Sequence, residues 1–141
     1  ETTKLIIDAF ERVKPRRAVS LLSPEDPFPS LPGVEGERHH RVHIHDITDE
    51  LDGLVRPAHA HVEAIVRFLG EHGPEDTLLI HCWAGISRST ATAFIAACLH
   101  NPRTDEAEIA GALRLASPTA FPNRRIVALA DEPFSMPTRM G

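Results

Sequence analysis

The chain has 141 residues, 42% of them apolar and 25% charged, which is the size of one common domain with enough apolar sequence for its own core. Two cysteines are too few for a disulfide framework or for a four-cysteine zinc site. Fifteen Lys and Arg against twenty Asp and Glu leave a net charge of −5, which argues against general nucleic-acid binding, because that affinity rests on neutralising phosphates.

The opening stretch, residues 2–10, has neither a long apolar core nor a small-residue cleavage site, so no signal peptide is expected there. No run of about 18 apolar residues follows, so no membrane-spanning helix is expected, and the expected location is the cytoplasm. No internal repeat or low-complexity tract is present. After Pro15 the apolar run Ala18, Val19, Ser20, Leu21, Leu22 predicts a buried strand, followed by a Pro- and Gly-rich loop over 23–37. Residues 41–45 alternate as a half-buried strand does. The polar stretch 47–57, with Gly53, Asp49 and Asp52, predicts a loop of a length that is often functional.

Over 58–72 the apolar positions Val62, Ile65, Val66 and Leu69 follow helical spacing, and Gly73-Pro74 stops the pattern. Residues 77–80 form a short continuous apolar run, typical of a strand inside a parallel sheet. That run enters His81 and Cys82 directly. A helix follows with apolar residues on most sides, from Ala91 to Leu99, and is expected to be buried on most sides. Asp105 and Glu108 have capping-box spacing ahead of a helix whose buried face would be Ile109, Ala112, Leu113 and Ala116. Ser117-Pro118 ends it. Pro122 suits the first turn of a last helix carrying Ile126, Leu129 and Ala130. The organisation is one domain over 1–132 and a loosely structured tail over 133–141. Strands alternating with helices predict an α/β fold with a largely parallel central sheet flanked by helices.

The chemistry concentrates between the last strand and its helix. A strand, a short loop containing Gly85 and a helix N-terminus make a cradle for an oxyanion, with N–H groups turned inward and helix-terminal positive potential. Cys82 opens this loop, where a thiolate would be stabilised, and a thiol is a useful nucleophile only in that form. Arg88 closes it with a planar fork that can grip two phosphate oxygens, and Gly85 permits the backbone angles of so tight a turn.

The string His81-Cys82-x5-Arg88-Ser89 resembles the signature of the cysteine-dependent protein tyrosine phosphatases. Ala84-Gly85-Ile86-Ser87-Arg88-Ser89 is similar to its dual-specificity branch. Ser117-Pro118 and Asn123 resemble the Ser-Pro…Asn element near the end of such domains, so the resemblance covers residues 18–131. It implies a dual-specificity-like fold and a cysteinyl-phosphate mechanism with no cofactor and no metal. Cys82 would be the nucleophile. Arg88 and the loop Trp83, Ala84, Gly85, Ile86 and Ser87 would hold phosphate. Ser89 would donate to the sulfur, while His81 and Asn123 would brace the loop. An Asp would serve as general acid: Asp46, which directly follows the strand, is the first choice, with Asp49 and Asp52 as alternatives. The implied partner is a phosphorylated protein or peptide, with no nucleic acid. The rivals are a phosphatase for an inositol phosphate or nucleotide, and a catalytically weak phosphate-binding module.

Other residues carry plainer expectations. Cys98 lies roughly 16 Å along the helix from Ser87, beyond the reach of a disulfide to Cys82, and is expected to pack in the core. His39, His40, His43 and His45 have no partner pattern that completes a metal site and are expected to support loops or surface. Trp83 is expected to pack against a neighbouring loop, and Arg124-Arg125 to lie near the pocket.

Overall fold

The computed structural model describes residues 12–71, 77–83 and 85–131. The stop signal at Gly73-Pro74, Ala84 of the loop and the tail over 133–141 lie outside them, as does the opening stretch. Three strands, β1 (Arg17–Leu22), β2 (His39–His43) and β3 (Leu78–His81), form a sheet in the order β2-β1-β3, with both pairings parallel. Among the described residues, helix α1 (His59–Gly70) lies between β2 and β3, and α2 (Arg88–His100), α3 (Glu106–Ala116) and α4 (Arg124–Ala130) follow β3. A short 3-10 turn, Gly36–Arg38, leads into β2. Among the described residues no helix is long and apolar enough to cross a membrane.

β1 is the central strand, and Ala18 to Leu22 are all buried. Side chains alternate across a strand, so Val19 and Leu21 share one face and Ala18 and Ser20 the other. The first face packs with Val42, Ile44, Val62, Ile65, Leu69, Ile95 and Ile126 into the main core. Each fully buried Leu, Ile or Val there contributes about 1.5–3 kcal/mol. The second face carries Ala18, Leu79, Leu31 and Val34, the last two supplied by the long β1–β2 connection. β2 begins two residues earlier than its alternation suggested and ends at His43, although Val42 and Ile44 are buried as expected. β3 reads as a strand from inside a sheet, yet among the described strands it lies at the edge, and Leu78, Leu79 and Ile80 are only half-buried.

Helix α2 is the hub: it packs against α1, α3, α4, β1 and β3, and no residue of it is exposed. The expected face of α3 is largely unrealised. Ile109 is buried and Leu113 half-buried, but Ala112 and Ala116 are exposed. A hollow of about 470 Å³ between parts of α2, α3 and α4 is lined by Phe94, Leu113, Val127 and others. Asp105 caps α3 by accepting from Ala107 N at 3.4 Å. Pro122 precedes the first turn of α4 rather than entering it, because Asn123 is the N-cap, accepting from Ile126 N at 3.0 Å.

Candidate active site

β3 ends at His81, Cys82 follows, and α2 begins at Arg88. Gly85 takes a φ of +71°, a left-handed conformation that favours glycine, so the turn can close in five residues. Neighbours hold the outer side of this loop. Phe121 N donates to Ile86 O at 2.8 Å and Asn123 N to Ser87 O at 3.1 Å. Thr90 Oγ1 also donates to Ile86 O, at 2.6 Å. With its carbonyls engaged outward, the loop turns the amides of Gly85 and Ser89 to the Cys82 sulfur.

Cys82 is 4% exposed. Burial pushes its thiol up. The Ser89 hydroxyl and amide, the Gly85 amide and the Arg88 guanidinium outweigh that effect and hold it below the ordinary cysteine range. Cys82 Sγ and Ser89 Oγ are 3.1 Å apart, within hydrogen-bond reach.

Arg88 is buried at the start of α2. Its Nη1 donates to Ile44 O at 2.8 Å and to Ser23 Oγ at 3.3 Å. Its Nε is also buried and has no partner among the described residues. A buried guanidinium donor left unpaired is costly unless an acceptor visits it, and an oxyanion in the loop would be one. The pinning of Nη1 was not foreseen: Ile44 and Ser23 come from two loop segments distant in sequence.

Asp46 lies three residues beyond the end of β2 and reaches the loop. Its Oδ1 accepts from Ser87 Oγ at 2.7 Å and from Asn123 Nδ2 at 2.9 Å. Asn123 Nδ2 also donates to Ile47 O at 3.1 Å. Asp49 and Asp52 are exposed farther along the same loop. A groove of about 300 Å³ beside the 82–88 loop is lined by Asp46, Ile86, Ser87, Phe121, Asn123 and Arg124 among others. Arg124 therefore lies near the pocket, as expected. Arg125 turns away to donate to Pro57 O at 2.5 Å. Trp83 does not pack as expected: it is 56% exposed.

His40, His43 and His45 go to separate partners. His40 stacks on Phe68 and His43 on Phe28. His45 Nε2 lies 3.0 Å from Glu25 Oε1, and His45 Nδ1 accepts from Val55 N at 2.8 Å, tying down the loop that carries Asp46. His39 and His81 both contact the Ser20 hydroxyl, at 2.7 Å and 2.6 Å. Cys98, fully buried in α2, is not disulfide-bonded, and neither is Cys82.

No family model matches the sequence, and no curated protein does. Solved structures do match. Human DUSP28 is similar with a TM-score of 0.66 at 21% identity, over 91% of this chain and 81% of that one. The Cydia pomonella PTP-2 phosphatase gives 0.65 at 21% identity, over 90% and 76%. Tk-PTP in its active form gives 0.58 at 21% identity, over 90% and 82%. The chain thus has the α/β architecture seen in dual-specificity phosphatases.

Proposed function

We propose that this chain is a cysteine-dependent phosphatase that hydrolyses phosphomonoesters on proteins or peptides. The observation that carries the reading is the convergence on one loop of a depressed thiol, Cys82, a buried unpaired guanidinium nitrogen, Arg88 Nε, and a carboxylate, Asp46, held by Ser87 of that loop. Each supplies one requirement of phosphoryl transfer.

The Cys82 thiolate attacks phosphorus in line, the S–P bond forms, and the ester P–O bond breaks. Arg88 and the loop amides stabilise the charge on the equatorial oxygens, where it accumulates in the transition state. The leaving oxygen takes a proton from Asp46. Two donors already occupy Asp46 Oδ1, which leaves Oδ2 to carry that proton. Water then attacks the cysteinyl-phosphate with Asp46 as base, the S–P bond breaks, and the Ser89 hydroxyl donates to the departing sulfur.

One feature favours a phosphoprotein over a polyphosphorylated small molecule: no base stands between Cys82 and Arg88 to meet additional phosphates.

The test is hydrolysis of an aryl phosphate with and without vanadate, followed by a panel of phosphopeptides and inositol phosphates. Vanadate-sensitive turnover with phosphopeptides preferred is the expected result. No turnover at all, or preference for the inositol phosphates, overturns the reading or its substrate class.

A further inference from the structure

The sheet face opposite the main core holds three buried polar side chains in a row, one from each strand. Ser20 on β1 is fully buried, and His39 on β2 and His81 on β3 are nearly so. Ser20 pairs directly with His81 across β1 and β3. His39 pairs with Ala18, two residues before Ser20 on the same face, and reaches the serine diagonally. The Ser20 hydroxyl lies 2.6 Å from His81 Nε2 and 2.7 Å from His39 Nε2. His81 Nδ1 in turn lies 3.5 Å from the carbonyl oxygen of Cys82.

Proton counting orders this row. Burial holds both imidazoles below their ordinary range. His39 goes down to about 4, helped by Arg41, His81 and His40. For His81 the Cys82 carbonyl opposes the shift without reversing it. Near pH 7 each ring is therefore neutral, with one N–H and one bare nitrogen. A carbonyl only accepts, so the His81 proton sits on Nδ1 and Nε2 is bare. The Ser20 hydroxyl must then donate to His81 Nε2, and the serine oxygen accepts from His39 Nε2–H. The count predicts one leftover acceptor, His39 Nδ1, and that atom is buried with no partner among the described residues. A strand face that has to exclude water keeps such a row only if its members are matched to one another.

We propose that Ser20 and His39 are positioning residues for Cys82: they fix the His81 tautomer that donates to the Cys82 carbonyl, and so hold the start of the phosphate loop with its sulfur among the Ser89, Gly85 and Arg88 donors. The inference rests on reading Cys82 as the nucleophile. The network spans the sheet and reaches the site from behind, through backbone, without touching substrate. Without the Ser20 hydroxyl, His81 Nε2 loses its donor. The ring can then move its proton to Nε2, which leaves the Cys82 carbonyl without one. The thiolate donors in front would lose alignment, and the thiol would return toward its ordinary value.

Two measurements test this, and neither needs turnover, so they stand apart from the phosphatase reading. Nitrogen NMR of the histidine rings in the wild-type chain reports tautomers directly. His81 is expected protonated on Nδ1 and His39 on Nε2, and a His81 protonated on Nε2 overturns the proposal. The second measurement is the pH dependence of Cys82 alkylation in Ser20→Ala, His39→Leu and His39→Gln. Ser20→Ala and His39→Leu should raise the thiol pKa by roughly half to one unit, making thiolate about three- to tenfold scarcer at mildly acidic pH. His39→Gln, whose amide N–H can replace Nε2–H, should restore most of the wild-type profile. Wild-type thiol titration in both Ser20→Ala and His39→Leu overturns the proposal. So does slowing at every pH without a shift in titration. Should either variant fail to fold, the wild-type tautomers decide.

Discussion

Asn123 Nδ2 donates to Asp46 Oδ1 at 2.9 Å, while the other end of the same amide accepts from Ile126 N and caps α4. The residue that starts the last helix therefore also holds the carboxylate read as the general acid. Its backbone N–H binds Ser87 O as well, so Asp46, the 82–88 loop and the helix are joined at one residue.

Asn123→Ala removes both ends of that link. Losing the cap should cost about 1 kcal/mol of stability, read as a lower Tm. Losing the donor to Asp46 should lower kcat by roughly tenfold, in line with one hydrogen bond to a charged group. Asn123→Asp keeps a capping oxygen but sets a second carboxylate beside Asp46. It should restore Tm more than kcat, and equal recovery of both would contradict the dual role.

Asp46→Asn tests the acid. General acid catalysis is typically worth about 10²–10⁴-fold. The variant should lose most activity on esters with poor leaving groups and least on aryl phosphates whose phenol is strongly acidic. The limb of the pH profile on which activity falls as pH rises should flatten. Asp49→Asn runs in parallel, and if the leaving-group dependence appears there instead, the acid lies three residues further on.

For Arg88, Lys would keep the charge and lose the geometry. It cannot both hold Ile44 O and Ser23 Oγ through one nitrogen and offer another to an oxyanion. Arg88→Lys should lower kcat/KM by about 10²–10³-fold, the usual scale for an oxyanion donor. Near-normal kcat/KM on phosphopeptides would remove the guanidinium from the transition state.

The two cysteines should separate cleanly. The Cys82 thiol is held below its ordinary range, and Cys98 is fully buried in α2. At mildly acidic pH, iodoacetate should modify Cys82 and spare Cys98 while the chain stays folded. Cys82→Ser should abolish turnover yet still bind vanadate. Equal alkylation of both cysteines by mass spectrometry would remove the special status of Cys82.

The buried histidines make stability depend on pH. His39 goes down to about 4, and His40, His61 and His81 are also lowered by burial. Between the unfolded value near 6.5 and the folded values, the unfolded chain binds more protons than the folded one. The stability these neutral rings contribute is complete above about pH 6.5 and is lost as pH falls towards 4. Thermal melts should show Tm dropping over that window, and His39→Gln should show a shallower drop. A Tm that is flat from pH 6.5 to 4 in the wild type would contradict the folded-state shifts.

What could be read from the sequence was local. Cys82, Gly85, Arg88 and Ser89 lie within eight residues, and a strand-loop-helix unit brings such neighbours together through its own backbone geometry. Apolar spacing likewise placed α1, the buried α2 and the inner face of α4, because helix periodicity is a property of the chain itself. What only the tertiary structure decided was pairing across distance. Nothing in the polar stretch after β2 says that Ser87 and Asn123 would hold Asp46, or that Ile44 O would pin Arg88. Those contacts join segments more than 40 residues apart. The packing of α3 was also beyond local reading, since Ala112 and Ala116 are apolar enough to suit a core but stay exposed. Ser20 offered the one faint signal, a polar residue inside an apolar strand. Only the order β2-β1-β3 and its register set it between His39 and His81.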